Sequence, residues 1–160
     1  VWTAAVLRWV RALEPAPSPA LELAARAQHL ERWRHPRSAW PAGRAGYLRW
    51  RREVAVRQGE RAEAMCTEAG LPPALGAAVA RLVRKEGLGR DPETAVLEDA
   101  ACLAFLELDL EAFAARHDEE DVLRILARTW RKMSPRGQEA ALALELARPL
   151  RSLLERALGA

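Results

Sequence analysis

The stretch DPETAVLEDAACLAFLELDL, residues 91–110, constrains the fold more than any other part of the chain. Asp91-Pro92-Glu93-Thr94 is a strong helix start: a capping aspartate, a proline in the first turn where its missing N–H costs nothing, and an acid facing the positive end of the helix dipole. From Ala100 to Leu106 the helix is apolar on every side, so other elements must enclose it. No segment alternates polar and apolar residues for long enough to make a strand. The enclosing elements are therefore helices. The fold class read here is all-α, a single-domain helical bundle of about seven to eight helices across residues 1–160.

The other helices are read from periodicity and caps. Trp2, Val6, Trp9, Val10 and Leu13 share one face of a first helix, which Pro15, Pro17 and Pro19 close. Ser18-Pro19 starts a second, expected to run to about Arg34 and stopped by His35-Pro36. A loop to Gly43 leads into a long third helix ending near Ala69, with Tyr47, Arg51, Val54, Gln58, Ala62 and Met65 as its inner stripe. Pro72-Pro73 opens a fourth, with Leu75, Val79, Leu82 and Val83 inward. The all-apolar helix continues to Arg116 after a bend near Asp109. Asp118 caps a sixth from Glu119 to Met133, Ser134-Pro135 a seventh, and Leu150, Leu153, Leu154 and Leu158 mark a short last one.

Composition narrows the class. Half of the 160 residues are apolar and 29% are charged, as in ordinary soluble domains. No run of about 18 apolar residues is long enough to cross a membrane, and the start has no signal-peptide pattern. Cys66 and Cys102 both fall within helical patterns and read as buried thiols in a reducing compartment, so the expected location is cytoplasmic. The net charge is +3, and of 25 basic residues only Lys85 and Lys132 are lysines. Arginine suits bidentate recognition of phosphate or carboxylate, though arginine-rich usage also accompanies a GC-rich genome.

Candidate chemistry lies in two groups. His29, Arg51, Gln58 and Asp99 fall on faces expected to point inward, with Glu98 beside Asp99. An unpaired buried charge costs several kcal/mol, so these groups are expected to meet, as a structural network or as an active site. Between Gln28 and Arg52, the residues Arg32, Arg34, Arg37, Arg44, Tyr47 and Arg49 interleave with Trp33, Trp40 and Trp50. Arginine forks near a helix start suit an anion, and aromatic rings can stack a base or sugar. The plainer alternative is that the tryptophans pack the loop while the arginines are solvated. Trp130 and Lys132 are candidates to join this site, against the alternative of a solvated helix end. His117-Asp118 spells a metal-phosphohydrolase dipeptide, but Asp118 with Asp121 reads as helix capping. The chain has no phosphate-binding glycine loop, nucleophile elbow, zinc-protease motif or paired CxxC.

The segments AARAQHLERWRHPRSAWPAGRAGYLRWR, LEDAACLAFLE and TWRKMS, in that order, resemble the domain of unknown function 4202 family over roughly residues 23–146. That family's layout is distantly similar to the HD superfamily of metal phosphohydrolases. The resemblance implies that His29 is the family's first histidine and that Glu98 and Asp99 are its acidic pair. It further implies a divalent metal cofactor held by His29 and Asp99. Gln58 stands where the family has a second histidine, and no aspartate comes directly after His29, which weakens the donor set. Relatives begin further upstream, so the resemblance reads Val1 as a misassigned or trimmed start.

Three functions stand as expectations. One is metal-assisted hydrolysis of a phosphate ester or nucleotide, with His29 and Asp99 on the metal, Glu98 as base, and Arg37, Arg44 and Lys132 on phosphate. The second is a non-catalytic module for an anionic small molecule, nucleotide or RNA. It would use Arg32, Arg37, Arg44, Tyr47, Trp50, Arg51, Gln58, Trp130 and Lys132 without a metal. The third is a helical scaffold whose polar cluster is structural. No membrane partner is expected.

Overall fold

The structure, a computed structural model, describes residues 1–159. Among the described residues it is all-helical: α1 (Trp2–Leu13), α2 (Pro19–Arg26), α3 (Gly43–Glu68), α4 (Pro73–Val83), α5 (Pro92–Ala104), α6 (Leu110–Ala114), α7 (Glu119–Lys132), α8 (Pro135–Leu142) and α9 (Arg148–Gly159). No helix among them is long and apolar enough to cross a membrane. The caps read from sequence form as expected. Ser18, Asp91, Asp118 and Ser134 each accept a backbone N–H from the residue three positions on. Asp118 accepts from the amide of Asp121 at 2.8 Å, so His117-Asp118 is capping chemistry.

α5 lies at the centre, packed against α1, α2, α4, α7 and α8. Leu97, Ala100, Leu103 and Ala104 are fully buried, and one hydrophobic cluster joins them to Val6 and Val10 of α1, Leu82 of α4, Leu126 of α7 and Leu154 of α9. Burying a leucine or valine side chain is worth roughly 1.5–3 kcal/mol, so this cluster supplies the main driving force. The bend expected near Asp109 is a π-helical turn, Phe105–Asp109, between α5 and α6. Glu107 in that turn is tied to α1 by Arg8 and by the indole N–H of Trp9, the latter at 2.9 Å.

Two expectations are corrected. α2 ends at Arg26, well short of Arg34. His29 and Glu31 take left-handed backbone angles, φ 61° and 48°, which no α-helix accommodates. Gln28 folds its side-chain amide back onto the carbonyl of Ala24 at 3.3 Å. Short 3-10 turns then cover Arg32–Arg34 and Arg37–Ala39. The inner stripe of α3 holds at Val54, Gln58 and Ala62 but is shifted by one position at its ends. Gly46, Trp50, Val54, Gln58, Ala62 and Cys66 are buried, whereas Tyr47, Arg51 and Met65 are exposed. At the first turns the reason is the loop of residues 36–42, which crosses the start of α3. A Cβ on Gly46 would lie 1.9 Å from the carbonyl oxygen of Pro41, so only glycine allows the crossing. The turn just before that loop holds Trp50, whose indole donates to the His35 carbonyl at 2.9 Å.

Candidate functional site

Where α2 gives way to its left-handed turn, the chain faces the middle of α3 and the end of α4. Gln28, His29, Arg32, Trp50, Arg51, Gln58 and Lys85 line a cleft of about 100 Å³ there. On the far side of His29 and Lys85 is a second hollow of about 220 Å³, with Trp2, Glu98, Phe105 and Asp109 in its wall. Gln28, His29 and Lys85 border both, so the two form adjoining compartments. The π-turn contributes Phe105 and Asp109 to the larger one, a common use of such turns.

His29 stacks on Trp2, with ring centroids 4.1 Å apart. The residue is exposed, not inward as its helical spacing suggested, but partial burial of the ring, with Arg32 and Lys85 adding positive charge, pushes its pKa down to about 4. The imidazole is therefore a neutral base near pH 7. The guanidinium of Arg32 lies 4.9 Å from the centroid of the Trp50 ring and that of Arg51 5.8 Å from the Tyr47 ring. Burial lowers the pKa of Arg32; Tyr47 opposes that, and the nearby Arg51 adds a smaller push downward. The two arginines thus crowd each other, and the cleft lining holds no Asp or Glu to relieve them. Gln58 donates to the Leu30 carbonyl at 3.0 Å and holds the left-handed turn against α3.

Sequence reasoning misses Lys85 as a site residue. It comes just after α4 with a left-handed backbone of φ 58° and forms an ion pair with Glu98, whose side chain is 5% exposed. Lys132 approaches the other oxygen of Glu98 at 3.9 Å. Both lysines of the chain thus face one carboxylate. Burial alone would raise the pKa of Glu98, but Lys85, with help from Lys132 and Arg51, brings it below the usual carboxylate value. The signal that could have found it is the rarity of lysine among so many arginines.

Asp99 turns the other way. Its carboxylate accepts the Ser134 amide at 2.9 Å and the Ser134 hydroxyl at 2.5 Å, at the start of α8. A Cβ on Gly137 would fall 2.4 Å from Asp99 Cγ, so the carboxylate rests directly on the α8 backbone. Burial raises the pKa of Asp99 and the two Ser134 bonds oppose that rise.

The remaining expected residues are dispersed. Arg37 braces its own loop, donating to the Trp40 carbonyl at 3.0 Å and the Gly43 carbonyl at 3.4 Å. Arg44 is exposed on the first turn of α3, outside the cleft lining. Trp130 packs against the core, and its carbonyl accepts from Gln138. Cys102 borders the larger compartment, but burial, reinforced by Glu98, raises its thiol pKa to about 12, so it stays protonated.

The donor set does not suit a divalent metal. His29 sits between two cations, Gln58 and Asp99 are bonded elsewhere, and no group of three or more His, Cys, Asp or Glu side chains among the described residues is placed to hold an ion. The family described as domain of unknown function (DUF4202) matches residues 1–154, and the chain belongs to that family. The match is wider than the region of resemblance read from the three segments. No curated protein and no solved structure matches the chain.

Proposed function

We propose that this protein binds an anionic small molecule, with a phosphate or carboxylate group seated among Arg32, Arg51 and Lys85. The observation that carries the reading is a cleft lined by three cations and two side-chain amides, with no carboxylate in its lining. Arg32 and Arg51 meet no carboxylate in that lining, and Lys85 shares Glu98 with Lys132, so all three gain from an incoming anion. His29 and the amides of Gln28 and Gln58 offer hydrogen bonds without adding charge. The adjoining compartment, walled by Trp2 and Phe105, has room for the uncharged body of the ligand. Two left-handed non-glycine residues, His29 and Lys85, form the wall between the compartments, and such strain concentrates at ligand sites.

This reading takes the protein as a binding module. The HD-like, metal-dependent hydrolase is set aside because Gln58 and Asp99 are committed to other partners. RNA is a second reading, favoured by Trp33, which is 75% exposed among the arginines of the same loop. A reducing, cytoplasmic setting suits the two free, buried thiols.

Thermal unfolding with pyrophosphate, a nucleoside monophosphate and a dicarboxylate tests the reading. Saturating ligand at 100 times its Kd should stabilise the fold by about 2.7 kcal/mol. R32Q should remove the cleft's share of that shift, and R44Q should keep the shift whole. No shift with any anion, or equal losses in both variants, would refute the proposal. Binding of tRNA that survives R32Q but not removal of the Trp33 ring would favour the RNA reading.

A further inference from the structure

We infer that the protein has a second anion site, separate from the cleft, in the hollow between the start of α5 and the end of α7. It takes a phosphate- or carboxylate-bearing organic molecule, and Glu98 restrains both sites at once. The hollow has a volume of about 570 Å³ and is bordered by Arg90, Arg131 and Lys132. That size admits a ligand as large as a nucleotide. Leu88, Pro92, Ala95 and Met133 give it an apolar wall for an organic body.

One carboxylate borders it, that of Asp91, and this one is already occupied. It accepts the Thr94 amide at 2.9 Å and the Thr94 hydroxyl at 2.5 Å, and Arg81 lies 3.6 Å away. The Ser134 amide and hydroxyl face Asp99 instead, so the start of α8 is not the donor. Recognition falls to the three cations.

Glu98 links this hollow to the cleft. One of its oxygens meets Lys85, which borders the cleft, and the other lies 3.9 Å from Lys132, which borders the hollow. An anion in either place competes with the same carboxylate for its lysine. Glu98 therefore holds both affinities down, and its neutralisation releases both lysines.

The test is an amide chemical-shift titration of the full chain with pyrophosphate. Gly89, Arg90 and Met133 report the hollow; His29, Arg32 and Gln58 report the cleft. Both sets are expected to saturate. K132Q should erase the hollow's set and spare the cleft's. E98Q should tighten binding at both by at least about fivefold, the lower end of typical coupling between sites. The second site is overturned if the hollow's set never saturates, survives K132Q, or dissolves into shifts at exposed arginines everywhere. The restraint by Glu98 is overturned if a folded E98Q protein binds no more tightly at either site. Loss of the cleft's set alone, with the hollow's set intact and sensitive to K132Q, would refute the proposed cleft function and the shared restraint, and leave the second site standing.

Discussion

Glu98 and Asp99 are neighbours in the chain but face different partners around α5. Glu98 faces the two lysines, and Asp99 faces Ser134 and the backbone of Gly137. Adjacent residues on an α-helix are about 100° apart around the axis, so one acidic pair cannot point wholly at one ligand. Assigning Asp99 to a metal and Glu98 to the base beside it, as the resemblance implies, sets that geometry aside.

Asp99 should matter to stability and not to anion affinity. Asp99→Ala leaves the Ser134 amide and hydroxyl without their partner at a buried helix start. The expected loss is about 2 kcal/mol, as for other buried groups left unsatisfied. Urea unfolding would show it, and pyrophosphate affinity in the cleft should stay unchanged. A loss of affinity without a loss of stability would return Asp99 to the site.

Gly137→Ala should be similarly costly. The new methyl group would sit 2.4 Å from Asp99 Cγ, so either the carboxylate or α8 must move. Overpacking of this kind typically costs about 1–3 kcal/mol. In the Asp99→Ala background the methyl group has room, and the penalty measured by urea unfolding should largely vanish.

Lys85→Met should destabilise the fold by about 3 kcal/mol, because Glu98 would remain buried with Lys132 as its distant counterion. Glu98→Gln in the same chain should recover much of that loss. A double-mutant cycle between the two positions should therefore give a large coupling energy. Additive effects would mean that the ion pair contributes little.

The pH dependence has a defined sign. The unfolded chain protonates His29 near its ordinary 6.5, and the folded chain only near 4. Between these values the unfolded state binds more protons, so stability must fall as pH drops through that window. Below its ordinary 4.5, the lowered pKa of Glu98 acts in the same direction. His29→Gln should flatten the fall between pH 6.5 and 4, as measured by chemical unfolding at each pH. A profile unchanged by that substitution would mean that His29 titrates normally.

Much of this architecture is legible because it is local. Four side-chain caps and the enclosed α5 depend on residues within a few positions of one another, and all appear where the sequence puts them. His29 reads as helical because nothing around it, neither glycine nor asparagine, announces a left-handed residue. The displacement of the α3 stripe at its first turns comes from Pro41 crossing Gly46, a contact made by a loop and invisible to periodicity. Lys85 reaches Glu98 from another element, and pairing between elements leaves no trace in a one-dimensional pattern. Arg32 is found by composition and Arg51 by its helical spacing, while Arg37 and Arg44 share that composition without sharing the cleft.

A π-helical turn is what a helix adopts when it must hold one residue more than its regular winding allows. The surplus residue between Phe105 and Asp109 therefore acts as a register offset between α5 and α6. Deleting any one residue there should let the two helices fuse into one continuous rod, turned by about 100° relative to its present course. Asp109 would then leave the compartment wall, and the tether from Glu107 to α1 would break. The stretch should thus be intolerant of even the smallest change in length.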